Sequence, residues 1–367
     1  MFNHYFQGRR VFVTGHTGFK GSWLVLWLKQ LGAEVHGFSL PPPTEPSLFD
    51  LAGVKNALQS DVRGDVRDAA ALAEALQKAK PEVVLHLAAQ PLVRESYETP
   101  VETVMTNVMG TVHLLEAVRR TPSVKVCEII TTDKVYQNRE WVHPYRENDA
   151  LGGADPYSAS KGMAEIAVAS WRHSFFPPER LGEHGVSISS ARAGNVIGGG
   201  DFAKDRILPD CYRSLAAGQK IPVRNPHSQR PWQHVLEPLS GYLWLAAHQA
   251  QDGARYAEAW NFGPYAIDAW NVGRVVERFT QAWGSGTWQH PSGSGPHEAK
   301  LLQLDIAKAQ TLLQWRPVWD CGQAIDASAA WYKASTRSGF DAHAFCLRQI
   351  AAFEERAEVL DVAWTKV

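Results

Sequence analysis

The first half of the chain alternates short apolar runs with longer stretches of helical periodicity. Arg10–Thr14 (RVFVT) predicts a buried strand, and Lys20–Leu31 predicts a helix whose apolar residues return to one face. Glu34–Leu40 reads as a second strand, Asp68–Ala79 as an Ala/Leu helix, and Glu82–Ala88 (EVVLHLA) as a strand. Val101–Arg120 predicts a long helix, Lys125–Thr131 (KVCEIIT) a strand, Tyr157–Phe175 a helix and Gly185–Arg192 (GVSISSAR) a strand. Near-continuous apolar strands alternating with helices imply a parallel sheet covered on both faces. The expected fold class is α/β, with a doubly wound parallel sheet.

After about Gly194 the texture changes, and glycine, proline and polar loops dominate. Helices are expected near Ile207–Ala217, His234–His248, Trp270–Trp283 and Ile306–Leu313, with a helix and tail over Phe340–Val367. Trp288–Glu298 is rich in Gly, Pro and Ser and reads as a surface loop. The expected division is a first domain over 1–193 and a smaller mixed α/β lobe over 194–367, with chain exchanges between them allowed.

The 367 residues are 45% hydrophobic and 20% charged, enough for a large core. A formal net charge of -1 implies no broad basic surface, which argues against a nucleic-acid role. An anionic ligand must therefore meet a local cluster of donors. The four cysteines are far apart and form no C-x-x-C pair, so reduced thiols are expected, with no metal site. No apolar stretch of about 18 residues occurs, and no membrane contact is expected. The reading is a soluble cytoplasmic protein.

Candidate chemistry begins between the first strand and the first helix. Gly15-His16-Thr17-Gly18-Phe19-Lys20-Gly21 is a G-x-x-G-x-x-G loop at a strand-to-helix turn. Such a turn offers backbone N–H groups and a helix N-terminus to a pyrophosphate. Gly15 permits the tight turn, Gly18 lets phosphates approach, and Gly21 lets the helix pack on the sheet. That is the phosphate-binding turn of a Rossmann-type domain. The second strand ends Gly37-Phe38-Ser39-Leu40, without the usual ribose-binding acid and without an arginine for a 2′-phosphate. The choice between NAD and NADP stays open there.

Tyr157-Ser158-Ala159-Ser160-Lys161 is a Y-x-x-x-K motif at the start of a predicted helix. A spacing of four places both side chains on one face. A free tyrosine, with a pKa near 10, is a poor base at neutral pH, and a neighbouring ammonium and a nicotinamide cation favour its phenolate.

Together with the glycine loop, these segments make the chain similar to the extended short-chain dehydrogenase/reductase superfamily. The likeness spans nearly the whole sequence, through His86-Leu87-Ala88-Ala89, Asn107, Thr132, the run Arg192 to Gly198 (RAGNVIG) and Arg230-Pro231-Trp232-Gln233-His234-Val235. By that resemblance NAD is held by Gly15, Thr17, Gly18, Phe19, Lys20, Gly21, Leu87, Ala88, Asn107, Tyr157 and Lys161. Asp65-Val66 resembles the pair that faces adenine in this fold. Gln90, Arg94, Asn195, Arg206 and Arg230 are implied on the nucleotide-sugar side, and an arginine suits a diphosphate because it donates two parallel bonds.

Thr132-Asp133-Lys134 narrows the resemblance to the sugar-nucleotide 4,6-dehydratases, and the triplet looks like that of those acting on CDP-glucose. Gly15 to Trp23 and Ala89 to Tyr97 look like the same group. The resemblance implies oxidation at sugar carbon 4, loss of water across carbons 5 and 6, and return of the hydride to carbon 6. Tyr157 is then the base for the hydroxyl at carbon 4, oriented by Lys161 and Thr132. Asp133 is the candidate acid at carbon 6. Lys134 either acts as the base at carbon 5, which requires a lowered pKa, or pairs with Asp133 and tunes it. The rival readings are an epimerase or a dehydratase of dTDP-, GDP- or UDP-sugars, and a catalytically silent NAD-binding regulator. The family habit of pairing subunits through two long helices implies a homodimer or homotetramer through Val101–Arg120 and Tyr157–Phe175.

Overall fold

In the computed structural model, which describes residues 1–290 and 301–366, seven strands form one sheet. They are β1 (Arg10–Thr14), β2 (Glu34–Ser39), β3 (Leu58–Arg63), β4 (Val83–His86), β5 (Val126–Ile130), β6 (Ser187–Arg192) and β7 (Ala259–Asn261). Their order is β7-β6-β5-β4-β1-β2-β3, and every neighbouring pair is parallel. Chain order reverses between β1 and β4. Crevices for ligands open at the carboxyl ends of strands at such a switch point.

Alternation along the strands divides the core into two layers. Val11 and Val13 of β1, with Val83 and Leu85 of β4, pack into one cluster. Phe12 and Val84 point the other way into a second. The first layer is closed by α1 (Phe19–Gln30), α5 (Leu236–Gln251) and α8 (Ala342–Val359). The second is closed by α2 (Ala69–Ala79), α3 (Gly110–Arg119) and α4 (Pro156–Phe175). Helix α6 (Val272–Trp283) packs against α7 (Cys321–Ser335) on the lobe side. The chain ends meet over α1. Phe2 stacks on Trp364 with ring centroids 5.0 Å apart, and the Trp27 indole donates to Glu354 at 2.8 Å.

Several boundaries differ from the sequence reading for physical reasons. The expected helix over 101–120 is present from 100 to 119, and its one irregularity is internal. A run Pro100–Val104 leads into a π-helical turn, Met105–Met109, before α3 begins. The segment after 194 returns to the sheet, since β7 extends its edge beside β6. Helix α7 escaped the pattern because its small residues blur the apolar face. Trp288–Gln289 pairs with Ile221–Pro222, while 291–298 of the expected surface loop lie outside the described residues. All four cysteines are buried and free. Among the described residues, no helix is long and apolar enough to cross a membrane.

One core residue sits against the grain. Glu128, in the middle of β5, is fully buried, and neither carboxylate oxygen has a hydrogen-bond partner among the described residues. Burial pushes its carboxyl well above the ordinary carboxylate range. A raised folded-state pKa means stability is greatest below the unfolded value and falls as pH rises toward the folded one. Glu128→Met should therefore stabilise the protein by about 1–3 kcal/mol. The gain in thermal melting temperature should be larger at alkaline than at mildly acidic pH, and melts across that range check it.

Candidate active site

The glycine loop joins β1 to α1 at the switch point. Gly15 has φ +74°, and a Cβ there would lie 2.7 Å from the backbone nitrogen of Ala88. Only glycine allows this conformation and this approach to the end of β4. A Cβ on Gly21 would lie 2.2 Å from the Gly15 carbonyl oxygen, so α1 could not start so close to the turn. Gly18 is the N-cap of α1 and offers no side-chain cap, leaving the first N–H groups of the helix for a ligand. The Thr17 hydroxyl shares a hydrogen bond of 2.8 Å with Ser39 and donates to the Leu40 carbonyl at 2.9 Å. This loop therefore grips the end of β2, where the acid is missing.

The loop opens on a cavity of about 1710 Å³. That exceeds the roughly 300–1,000 Å³ typical of a site for one drug-sized ligand. Gly15, Thr17, Gly18, Phe19, Lys20 and Gly21 are among its lining residues. Asp65, Val66, Leu87 and Ala88 line it as well. Asp65 is partly engaged already, since Arg67 binds it through Nε at 2.9 Å and Nη2 at 2.6 Å and holds its carboxyl below the usual range.

Tyr157 and Lys161 sit on the first turns of α4, whose start is well determined. Asp155 caps the helix by accepting from the Ser158 N–H at 2.9 Å, and Pro156 occupies the first turn. The Lys161 ammonium donates to the Ile130 carbonyl at 3.2 Å, tying α4 to the end of β5. Burial lowers its pKa to about 8, opposed by Glu165 one turn further on. Burial pushes the Tyr157 phenol up to about 12, opposed by a hydrogen bond with Thr132 and by Arg206. The expected lowering of the phenol is thus not a property of the chain alone, because desolvation exceeds the help from neighbours.

Thr132, Asp133 and Lys134 follow β5 directly. The Thr132 hydroxyl donates to Asp133 Oδ1 at 2.9 Å, and the Lys134 ammonium stands 3.7 Å from the same oxygen. Lys134 and Thr132 line the cavity, whereas Asp133 is fully buried beside it, with Oδ2 lacking a partner among the described residues. Lys20 also belongs to this group. It donates to the Tyr242 hydroxyl at 3.2 Å, and burial, then repulsion by Lys161 and Arg206, lowers its pKa to about 7.

Arg94, Asn195, Arg206 and Arg230 also line the cavity. Arg206 pairs with Asp201 at 2.8 Å, and Arg94 with Asp205 at 3.3 Å. Gln90 and Asn107 stand behind the wall and are not among its lining residues. Asn107, on the π-helical turn, accepts from the Gln90 N–H at 2.9 Å and donates to the Ser160 hydroxyl at 2.9 Å. The Gln90 side chain is engaged by Leu92 and Thr103. Both residues brace the site in this structure.

Three positions that shape the cavity's surroundings, Gly194, Glu165 and Arg192, had no role in the sequence reading. A Cβ on Gly194 would lie 2.0 Å from Asp133 Oδ2, so this glycine makes room for the acid. Glu165 and Arg192 form a buried ion pair at 2.8 Å below the site. Glu165 lies four residues after Lys161 on the same helical face, which was the available signal.

The profile of the family described as GDP-mannose 4,6 dehydratase matches residues 12–327. The chain is 51% identical over 335 residues to a CDP-glucose 4,6-dehydratase of Salmonella typhimurium, covering 91% of this chain and 93% of that protein. It is 28% identical over 346 residues to a dTDP-glucose 4,6-dehydratase of Xanthomonas campestris, covering 87% and 92%. Its fold is similar to that of DesIV, a dTDP-glucose 4,6-dehydratase of Streptomyces venezuelae solved with NAD and TYD bound. There the TM-score is 0.75 and the identity 22%, over 88% of this chain and 97% of that one. The chain belongs to the GDP-mannose 4,6-dehydratase family of sugar-nucleotide dehydratases, within the extended short-chain dehydrogenase/reductase superfamily.

Proposed function

We propose that this protein is an NAD-dependent hydro-lyase that converts CDP-glucose to CDP-4-keto-6-deoxyglucose. The observation that carries the reading is the Thr132-Asp133-Lys134 triplet set between β5 and the Tyr157/Lys161 pair, with Asp133 buried against Gly194. The 51% identity to a CDP-glucose 4,6-dehydratase supports the choice of sugar nucleotide.

The glycine cradle fits a dinucleotide. The uncapped start of α1 suits its pyrophosphate, and Asp65 with Val66 suits its adenine end. Bound there, NAD⁺ supplies a hydride acceptor for carbon 4 and the hydride that carbon 6 later receives. The cations Arg94, Arg206 and Arg230 suit the diphosphate of the substrate, and Asn195 stands beside them.

The residues then divide the proton transfers. Tyr157 takes the proton of the hydroxyl on carbon 4, with Thr132 and Lys161 orienting the phenol. The new ketone acidifies carbon 5. Asp133 protonates the leaving hydroxyl on carbon 6 and ends as a carboxylate. The proton of carbon 5 leaves toward Lys134, 3.7 Å from Asp133, and returns to carbon 5 once carbon 6 has received its hydride. One water leaves, the hydride removed at carbon 4 ends on carbon 6, and the proton held by Tyr157 reloads Asp133 through the Thr132 hydroxyl, which is hydrogen-bonded to both.

We also propose a homodimer. Val101 and Met105 on one helical stretch, and Met163 and Ile166 on α4, are exposed apolar residues on adjacent helices. The buried reduced thiols suit the cytoplasm.

Incubation with CDP-glucose should give the alkali-sensitive absorbance of a 4-keto sugar nucleotide. Product from dTDP-, GDP- or UDP-glucose in its place would overturn the substrate assignment. Lys134→Ala should retain NAD but lose at least about 10²-fold in product formation, and unchanged turnover would remove Lys134 from the chemistry. Ile166→Glu should convert the dimer to monomer in sedimentation velocity.

A further inference from the structure

The catalytic triplet is held at both ends by a single buried ion pair. Glu165 and Arg192 are only 2% and 4% exposed at their side chains. Each Glu165 oxygen accepts twice: Oε1 from the Thr131 hydroxyl at 2.5 Å and Arg192 Nε at 3.0 Å, Oε2 from the Ser190 hydroxyl at 2.7 Å and Arg192 Nη2 at 2.8 Å. Arg192 Nη1 reaches the other way, donating to the Tyr136 hydroxyl at 2.8 Å and the Glu147 carbonyl at 2.9 Å. Tyr136 in turn donates to Asn261 Oδ1 at 2.7 Å. Thr131 immediately precedes the triplet Thr132-Asp133-Lys134, and Tyr136 follows it after one residue.

A buried ion pair is a weak source of stability, because desolvation offsets most of the attraction, and apolar replacements of similar volume are often as stable. Its more informative property here is geometric. Thr131 and Tyr136 are fixed to partners that share one rigid carboxylate–guanidinium fork. The segment between them carries both groups of the elimination but neither member of the Tyr157/Lys161 pair.

We propose that Glu165 and Arg192 are positioning residues for the elimination step, clamping the 131–136 segment so that Asp133 and Lys134 stand at the correct height above carbons 5 and 6. This rests on the dehydratase reading above. The clamp makes carbon 6 chemistry more sensitive to its loss than carbon 4 oxidation. Glu165 also faces Lys161, along with Lys20 from α1 and His86 from β4, and it opposes the effect of burial on that ammonium.

The test compares wild type with E165L/R192M and Y136F, using CDP-glucose throughout. The double variant removes both charges together, so no lone buried charge remains. Y136F cuts one arm of the clamp without altering any charge. With the double variant melting near the wild-type temperature, we expect kcat to fall about 10²-fold while KM changes little, since a misplacement on the order of 1 Å costs that much. Y136F should lose about tenfold. Both should accumulate the near-ultraviolet absorbance of reduced nicotinamide during turnover, because oxidation outruns elimination. Loss of folding alone would not produce that signal. Wild-type kcat without accumulation in the double variant would overturn the proposal. If that variant does not fold, Y136F decides: an unchanged kcat and no accumulation overturn it. Failure of the wild type to turn over CDP-glucose would instead count against the dehydratase reading.

Discussion

The site depends on one backbone-to-backbone approach. Gly15, held at φ +74°, brings the turn after β1 against the end of β4 at Ala88. That contact aims the start of α1 into the crevice where strand order reverses. It also fixes where the chain leaves β4. Two residues beyond Ala88, the Gln90 main chain donates to and accepts from the Asn107 side-chain amide, which also donates to Ser160. Ser160 lies between Tyr157 and Lys161 and donates to the Tyr157 carbonyl at 2.7 Å. A short relay of polar contacts thus connects the glycine turn to Tyr157 and Lys161.

Electrostatics inside the cavity are set by dryness as much as by charge. The chain is close to neutral overall, yet Lys20, Lys134, Lys161 and Arg206 all line the same cavity. Local concentration of cations without global basicity suits a small polyanion better than a polymer. Burial disfavours the charged form of each titratable group, so Tyr157 moves up while Lys20 and Lys161 move down. The two lysines come closer to neutral pH while Tyr157 moves away from it, so forming the phenolate takes more help than the chain alone supplies.

Much of this was legible in the residues. β1 and β4 are nearly continuous apolar runs with clear ends, and their bounds match expectation within two residues. The glycine loop and the Tyr157/Lys161 motif are local patterns, and local patterns survive translation into structure. Features that depend on distant segments were not legible. β7 is three residues long and shows no periodicity that would assign it to the sheet. The polar bracing by Gln90 and Asn107 arises from a π-helical turn, which sequence period does not announce. Glu165 and Arg192 lie 27 positions apart and become partners only when α4 and β6 pack. Sequence alone could also not show that Asp133 is buried while Lys134 faces the cavity.

Gly194 has a meaning beyond its own turn. Its missing side chain is the volume that the Asp133 carboxylate fills, so positions 133 and 194 share one small space though 61 residues separate them. Neither position is free to drift by itself. Hybrid chains assembled from two relatives would have to draw both from the same parent, or receive a glycine at 194 with the incoming acid. A relative with a small residue at 133 escapes the restriction, and its position 194 becomes available for a larger side chain.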